Sequence, residues 1–347
     1  MANWPFWIIA ILMLGILILV HELGHYLVGR LFKFKIKEFS VGMGPKIVSR
    51  VSKKTDIRYS LRGIPLGGFV SFLGEDEDQD DPRAMNNMPW YSRALLFFAG
   101  AGFNIVFAFL LIAILITSVG YNGAKLEQID PRSSIYQVAQ QGDIVYAVDG
   151  KQMVDVSQFQ SEVLKKDEFV LTVIRDGEKI DYPCNKVDID GAQKLGISYS
   201  AAPIKQNLIQ AFGYSFKYNV YMTKTMYSTL WQLVTGKIGT EALTGPISTI
   251  GAIGGIVKDT TDYGENAAEK IRVAILAITE LLSIISLNLA VMNLLPLPAL
   301  DGFRLVSALI EGVTKKHIPR KIEGIINTVG LLLIIGLMIV LEVFKLF

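Results

Sequence analysis

Cysteine and histidine are scarce in this chain: its 347 residues include one cysteine, Cys184, and three histidines. A lone cysteine excludes an internal disulfide framework, and nothing beside Cys184 marks it as a nucleophile. An excess of either charge is missing too, since 34 Lys and Arg face 32 Asp and Glu, a formal net charge of +2. That balance offers no electrostatic footprint for nucleic acid, and none is expected as a partner. The first apolar run has no basic leader and no small-residue cleavage site, so no cleavable signal peptide is expected. Apolar side chains, by contrast, are plentiful. They make up 51% of the residues, and the mean hydropathy of +0.40 points to a membrane protein.

Four runs read as helices that cross a bilayer: residues 6–29, 94–119, 273–295 and 325–341. Each is near the ~20 residues needed to span the hydrocarbon core. Trp4 and Trp7 suit an interfacial belt at the start of the first run. The tail before that run has no Lys or Arg, whereas Arg30, Lys33, Lys35 and Lys37 crowd its far end. Arg304, Lys315, Lys316, Arg320 and Lys321 fill the short connection between runs three and four. Positive loops stay inside, so both connections are expected on the cytoplasmic side of the cell membrane and both termini outside.

Between the first two helices, residues 30–93 have β character: Ile57 to Leu61 alternates, and residues 64–72 are apolar around Gly67-Gly68. That stretch is too short to span and fits either a re-entrant hairpin or a surface hairpin. The acidic run from Glu75 to Asp81 is expected to be a solvated loop without chemistry. From about Tyr121 to Ser200 the composition is that of a small soluble domain. It has short β runs at Ile144–Val148, 169–174 and 180–182, turns at Asp149-Gly150 and Asp176-Gly177, and a polar helix over 156–165. Residues 201–231 are amphipathic, as either a helix lying on the membrane surface or a solvated linker. Gly245-Pro246 and the glycines of 251–255 are expected to break the chain before the third span.

The scarce histidines are concentrated. His21-Glu22-Leu23-Gly24-His25 has the pattern H-E-x-x-H, and these are the only acidic, basic or imidazole side chains between Phe6 and Gly29. On a helix, positions i and i+4 share a face, so both imidazoles can meet one metal ion with Glu22 beside it as a general base. Ionisable groups at membrane depth are costly, and a cluster of them is read as functional. Catalytic zinc takes three protein ligands, so a third must come from elsewhere. At the cytoplasmic end of the third span, Pro296 and Pro298 end the helix and Asp301 follows, at the level of the two histidines. Asp301 is then either the third ligand or a cap on the next segment.

These residues carry a resemblance. His21-Glu22-x-x-His25 in the first span, with Asn293-x-x-Pro296-x-Pro298-x-x-Asp301-Gly302 in a later one, resembles the site-2 protease family of intramembrane zinc metalloproteases. The bacterial regulator-of-sigma proteases are the most similar members. Residues 64–72 resemble the family's membrane-associated β-hairpin, Ala99-Gly100-Ala101-Gly102-Phe103-Asn104 its second-helix motif, and 141–150 the core of a PDZ domain. The resemblance implies His21, His25 and Asp301 as ligands of a Zn2+ cofactor and Glu22 as general base. It also favours Asn288 and Asn293 as holders of the substrate backbone, beside Pro296 and Pro298 and the strand Gly67, Gly68, Phe69, Val70.

The expected architecture is an α-helical polytopic membrane protein of four transmembrane helices, with a membrane-associated β-hairpin and an inserted α+β PDZ-like domain. Its divisions are 1–29 (first span), 30–93 (cytoplasmic loop and hairpin), 94–119 (second span), 120–200 (PDZ-like, outside), 201–272 (surface helix and linker), 273–303 (third span and its motif) and 304–347 (loop and fourth span). The implied partners are the lipid bilayer and transmembrane protein substrates, with anti-sigma factors and signal-peptide remnants as the family's usual classes. Two rival readings remain: a non-catalytic metal-binding scaffold or transporter, and a different membrane H-E-x-x-H protease whose third ligand is a glutamate.

Overall fold

The structure is a computed structural model that describes residues 4–239, 246–261, 266–316 and 318–344. The chain separates into two compact units, one of Met1–Leu111 with Met222–Phe347 and the other of Ile112–Tyr221.

In the first unit, helix α1 (Trp4–Leu31) leads into two long antiparallel strands, β1 (Ile36–Val51) and β2 (Arg58–Phe72). Both strands fold back on themselves, for residues 38–41 pair with 58–61 on one side and with 68–71 on the other. Segment 68–72 is therefore an edge. The turn before it lies against α1: a Cβ on Gly15 would stand 2.8 Å from the Pro65 carbonyl oxygen, and one on Gly67 (φ +70°) would press into Ile18. Glycine is needed at both points for the backbones to approach. Phe34, Ile36, Val70, Phe72, Leu96 and Phe97 form a buried apolar cluster on the inner face of these strands.

Helices α2 (Trp90–Val119), α6 (Ala267–Asn293) and α8 (Arg320–Phe344) join α1 as the four helices, among the described residues, long and apolar enough to cross a membrane. All four begin before the apolar run does. Helix α6 starts at Ala267 rather than 273 because Asn266 caps it, its side chain accepting from the Glu269 N–H. Its helical turns end at Asn293, and Leu294 to Leu300 connect it to α7 (Asp301–Thr314).

The glycines of 251–255 do not break the chain. They lie in helix α5 (Pro246–Thr261), where Ile253 packs with Ala10 and Met13 of α1. A Cβ on Gly254 would touch the Phe6 backbone at 3.4 Å, so small residues here serve close helix contact, as they do in membrane bundles. Gly245 lies outside the described residues.

The second unit holds a six-stranded antiparallel sheet of order β10-β3-β4-β6-β7, with β5 (Lys151–Gln152) on β4. Its strands are β3 (Tyr121–Ile129), β4 (Ile144–Val148), β6 (Glu168–Arg175), β7 (Glu178–Asn185) and β10 (Ile197–Ile204), with β8 (Val187–Ile189) and β9 (Ala192–Lys194) as a separate pair. Helix α3 (Val156–Leu164) is capped by Asp155, whose side chain accepts from the Gln158 N–H, and covers a core of Leu126, Ile135, Val145, Leu171 and Val173. The expected surface helix does not begin at 201: β10 runs to Ile204, and helix α4 covers Leu208–Val234. The unit is wider than 120–200 because Tyr214 of α4 stacks on Tyr121 at 4.2 Å and donates to the Val154 carbonyl. Burial pushes the Cys184 thiol up to about 11, which keeps it protonated and unreactive.

Candidate metal centre

Helical spacing puts His21 and His25 on one face of α1, and their Nε2 atoms lie 3.1 Å apart. Asp301, first residue of α7, brings Oδ2 to 2.8 Å from His21 Nε2 and 3.1 Å from His25 Nε2. Two nitrogens and one oxygen thus form a near-equilateral triangle of donors from residues 280 apart in sequence. Among the described residues this is the one such group of three metal-ligating side chains. A tetrahedral zinc with bonds of about 2.0–2.1 Å sets its donors about 3.3–3.4 Å apart, so a slight widening of the triangle admits the ion. Two imidazole nitrogens and a carboxylate oxygen are a donor set that fits zinc.

The partners behind the imidazoles fit as well. His25 Nδ1 donates to the Leu96 carbonyl at 2.8 Å. A carbonyl only accepts, so Nδ1 carries the proton and Nε2 turns its lone pair toward the other two donor atoms. His21 Nδ1 faces the amides of Asn104 and Asn293 at 3.4 and 3.5 Å. The buried Oδ1 of Asn104 has no partner, and an amide turned through 180° would place that oxygen on a protonated Nδ1. His21 then also has its Nε2 free for a metal.

Helix α2 makes room for the site by what it lacks. A Cβ on Gly100 would lie 2.5 Å from His21 Nε2 and closer still to His25 Nε2, and one on Gly24 would collide with the Ala99 carbonyl. Gly302 is needed for the same reason: a Cβ there would stand 2.5 Å from the Leu294 carbonyl oxygen.

Glu22 turns toward the strands, and its Oε2 accepts from the Val70 N–H at 2.9 Å. The next outward donor on that edge, the Phe72 N–H, is accepted by Glu75 Oε2 at 3.2 Å. Glu75 Oε1 in turn receives Arg304 Nη1 at 2.6 Å. The expectation that Glu75 belongs to a solvated loop is corrected, because it is three-quarters buried against these two partners. His21, Glu22, His25, Phe69, Val70, Phe72, Glu75, Asp301 and Arg304 line one cavity of about 220 Å³.

The other expected contact residues lie apart from the donor triangle, although Phe69 lines the same cavity. Gly67 and Gly68 pack against Ile18 and the Ser40 carbonyl, and Phe69 lies under the Arg62 guanidinium at 4.9 Å. Pro298 packs on Gly330 of α8, whereas Asn288 and Pro296 are exposed. Sequence reasoning left Leu96, Gly100, Asn104, Glu75 and Arg304 out of the site. One signal for Asn104 is present, since it is the only polar side chain between Ala94 and Ile116.

Known proteins bear on this geometry. The model of peptidase family M50 matches residues 9–337. A protein of Clostridium perfringens, provisionally named a zinc metalloprotease, is 32% identical over 341 residues, 97% of each chain. A similarly named protein of Synechocystis is 32% identical over 349 residues, 94% of this chain and 91% of its own. The chloroplastic membrane metalloprotease ARASP of Arabidopsis thaliana is 30% identical over 354 residues, 94% of this chain and 76% of its own. The PDZ domain of an SdrC-like protein from Listeria innocua, 15% identical, covers 22% of this chain and 92% of its own with a TM-score of 0.21. On the family model and the three long alignments, this chain belongs to peptidase family M50, the site-2 protease family of membrane metalloproteases.

Proposed function

We propose that the chain is an intramembrane zinc endopeptidase that cuts the transmembrane segments of single-span proteins, with anti-sigma factors and signal-peptide remnants as substrate classes. One observation carries the reading: three donor atoms lie within 3.1 Å of one another, with Glu22 adjoining them in the same cavity. His21, His25 and Asp301 would hold the zinc. When bound, the ion supplies Lewis acidity, bringing a water's pKa from 15.7 to about 7 and polarising a carbonyl.

The protein's own groups do the rest. Glu22 is the general base: its Oε2 is held by the Val70 N–H, and Oε1, without a partner among the described residues, is left to take the water's proton. Glu22 then returns that proton to the departing amine nitrogen. Apolar walls at Phe69, Phe72 and Phe97 limit water to what reaches the cavity. A substrate helix hides its peptide bonds in its own ladder, so it must unwind before it is cut. The open side of edge 68–72 supports pairing with the unwound stretch, whose carbonyl would replace Glu75 at the Phe72 N–H while the Val70 N–H goes on holding Glu22. Asn293, beside His21, and Asn288 would hold the freed backbone through amides that donate and accept. The orientation follows from the charged loops: active site toward the cytoplasm, both termini and residues 120–200 outside.

The second unit is read as a PDZ-like domain that filters substrates by size or holds a trimmed chain end. A cavity of about 360 Å³ beside α3, lined by Phe159, Val163, Leu195, Ile197 and Tyr199, supports a peptide-sized occupant.

The experiment is cleavage of a single-span test protein by the purified enzyme in detergent, with fragments located by mass spectrometry. The cut is expected inside the span and should vanish with 1,10-phenanthroline; a chelator-resistant cut, or one outside the span, contradicts the reading. The same substrate carrying single cysteines reports on strand pairing when crosslinked to a Ser71→Cys enzyme lacking Cys184. Crosslinks at every second substrate position are expected, and a three-to-four-residue period would sink the edge-strand idea. Val70→Pro is less informative here, because it also removes the donor that holds Glu22.

A further inference from the structure

Asp301 reaches the imidazoles from an unusual turn. Ala299, two residues before it, has φ +77°, a left-handed conformation that a non-glycine residue keeps only when its surroundings impose it. The surroundings here are one face of α8. The Ala299 N–H donates to Asn327 Oδ1 at 3.0 Å. One turn further along α8, Gly330 lies flush against Pro298, where a Cβ would strike the proline ring and sit 3.0 Å from the Pro298 carbonyl oxygen.

Asn327 is 9% exposed, a buried amide within a helix long and apolar enough to cross a membrane. Such a group is expensive at that depth and calls for a reason. Arg320, Glu323, Asn327 and Gly330 follow at spacings of three, four and three, so they share one helical face. The upper part of that face holds the far end of α7: Arg320 Nη2 donates to Glu311 Oε1 at 2.8 Å, and Glu311 also pairs with Arg93 of α2. Helix α7, which begins with Asp301, is thereby fixed at both of its ends.

We propose that Asn327, with Gly330, is a positioning residue for Asp301, so that α8 sets where the third ligand stands. This rests on the reading of Asp301 as a metal ligand. Removing the Asn327 acceptor frees Ala299 to leave the left-handed conformation, and Asp301 then turns away from the imidazoles. Groups that orient metal ligands typically contribute 10–100-fold to metal affinity.

The test measures zinc affinity of the purified full chain by chelator competition, with the visible spectrum of the Co2+-substituted protein as a report on coordination. Asn327→Leu, similar in size but without an acceptor, should bind zinc about 10–100-fold more weakly and lose the intensity of four-coordinate cobalt. Asn327→Asp keeps an acceptor and should restore affinity. Gly330→Ala should weaken zinc by pushing Pro298, whereas Gly336→Ala, on the same helix with nothing within 4 Å of the added methyl, should not. Should Asn327→Leu and Gly330→Ala bind zinc as the wild type does while Asp301→Ala binds it poorly, the positioning role is wrong and the ligand reading stands. Should Asp301→Ala bind zinc normally, both fall.

Discussion

Glu22→Gln should lower kcat by about 10²–10⁴-fold, the usual contribution of a general acid–base group, while the zinc content stays at one per chain. Glutamine has the same length and keeps a side-chain oxygen able to accept from the Val70 N–H, so the contact between α1 and edge 68–72 survives. The donor triangle is untouched because Glu22 is no part of it. What is lost is the capacity to take a proton from water and hand it to the amine. KM should change little, since in the proposed pairing the substrate backbone meets the strand edge and not this carboxylate. A scaffold or transporter that only binds metal would work as well with glutamine as with glutamate. Steady-state cleavage of the single-span substrate, with metal analysis of the same samples, separates the two. Turnover within a few-fold of wild type would remove the catalytic role.

Gly100→Ala is the second large effect, and it comes from one methyl group. The added carbon would stand 2.5 Å from His21 Nε2 and nearer to His25 Nε2, inside the space that a metal and its ligands need. Either the imidazoles rotate off the triangle or α2 moves away from α1. Helix propensity cannot explain a loss, because alanine favours a helix over glycine by about 1 kcal/mol. Zinc affinity should therefore fall more than about 100-fold, beyond the effect expected of groups that merely orient ligands. Helical content should be unchanged by circular dichroism. Gly102→Ala is the control: the atoms nearest its methyl belong to the Phe98 ring of the same helix, at 3.1 Å and beyond, and not to the imidazoles. A Gly100→Ala protein that keeps a full complement of zinc would refute the close packing described here.

What the sequence made legible were features carried by local periodicity or by side chains present. Two histidines four apart in an apolar run need only helical geometry to be read as a pair. Asp301 is different, because nothing local ties it to residues 280 positions earlier; the prolines and the depth argument suggested it, and the motif resemblance favoured it. Gly100 escaped because its role is the absence of a side chain, visible only once the imidazoles stand opposite. Glu75 was misjudged because seven residues of mostly acidic sequence look solvated, while only tertiary contact shows that the first of them accepts from a strand edge and from Arg304. The glycines of α5 were misjudged by a rule that belongs to water, where glycine weakens helices; against α1 they allow close contact instead. Strands β3 and β10 pair Tyr121 with Ile204, and so distant a register leaves no trace in either segment alone.

Zinc-dependent cleavage by this chain requires above all that Asp301 share one ion with His21 and His25. Wild-type and Asp301→Ala proteins, dialysed in detergent against the same buffered free zinc and assayed for metal per chain, test that directly. One zinc per wild-type chain is expected, with affinity at least about 100-fold lower in the variant because a first ligand is lost rather than an orienting group. An Asp301→Ala protein that still holds one zinc with wild-type affinity would contradict it.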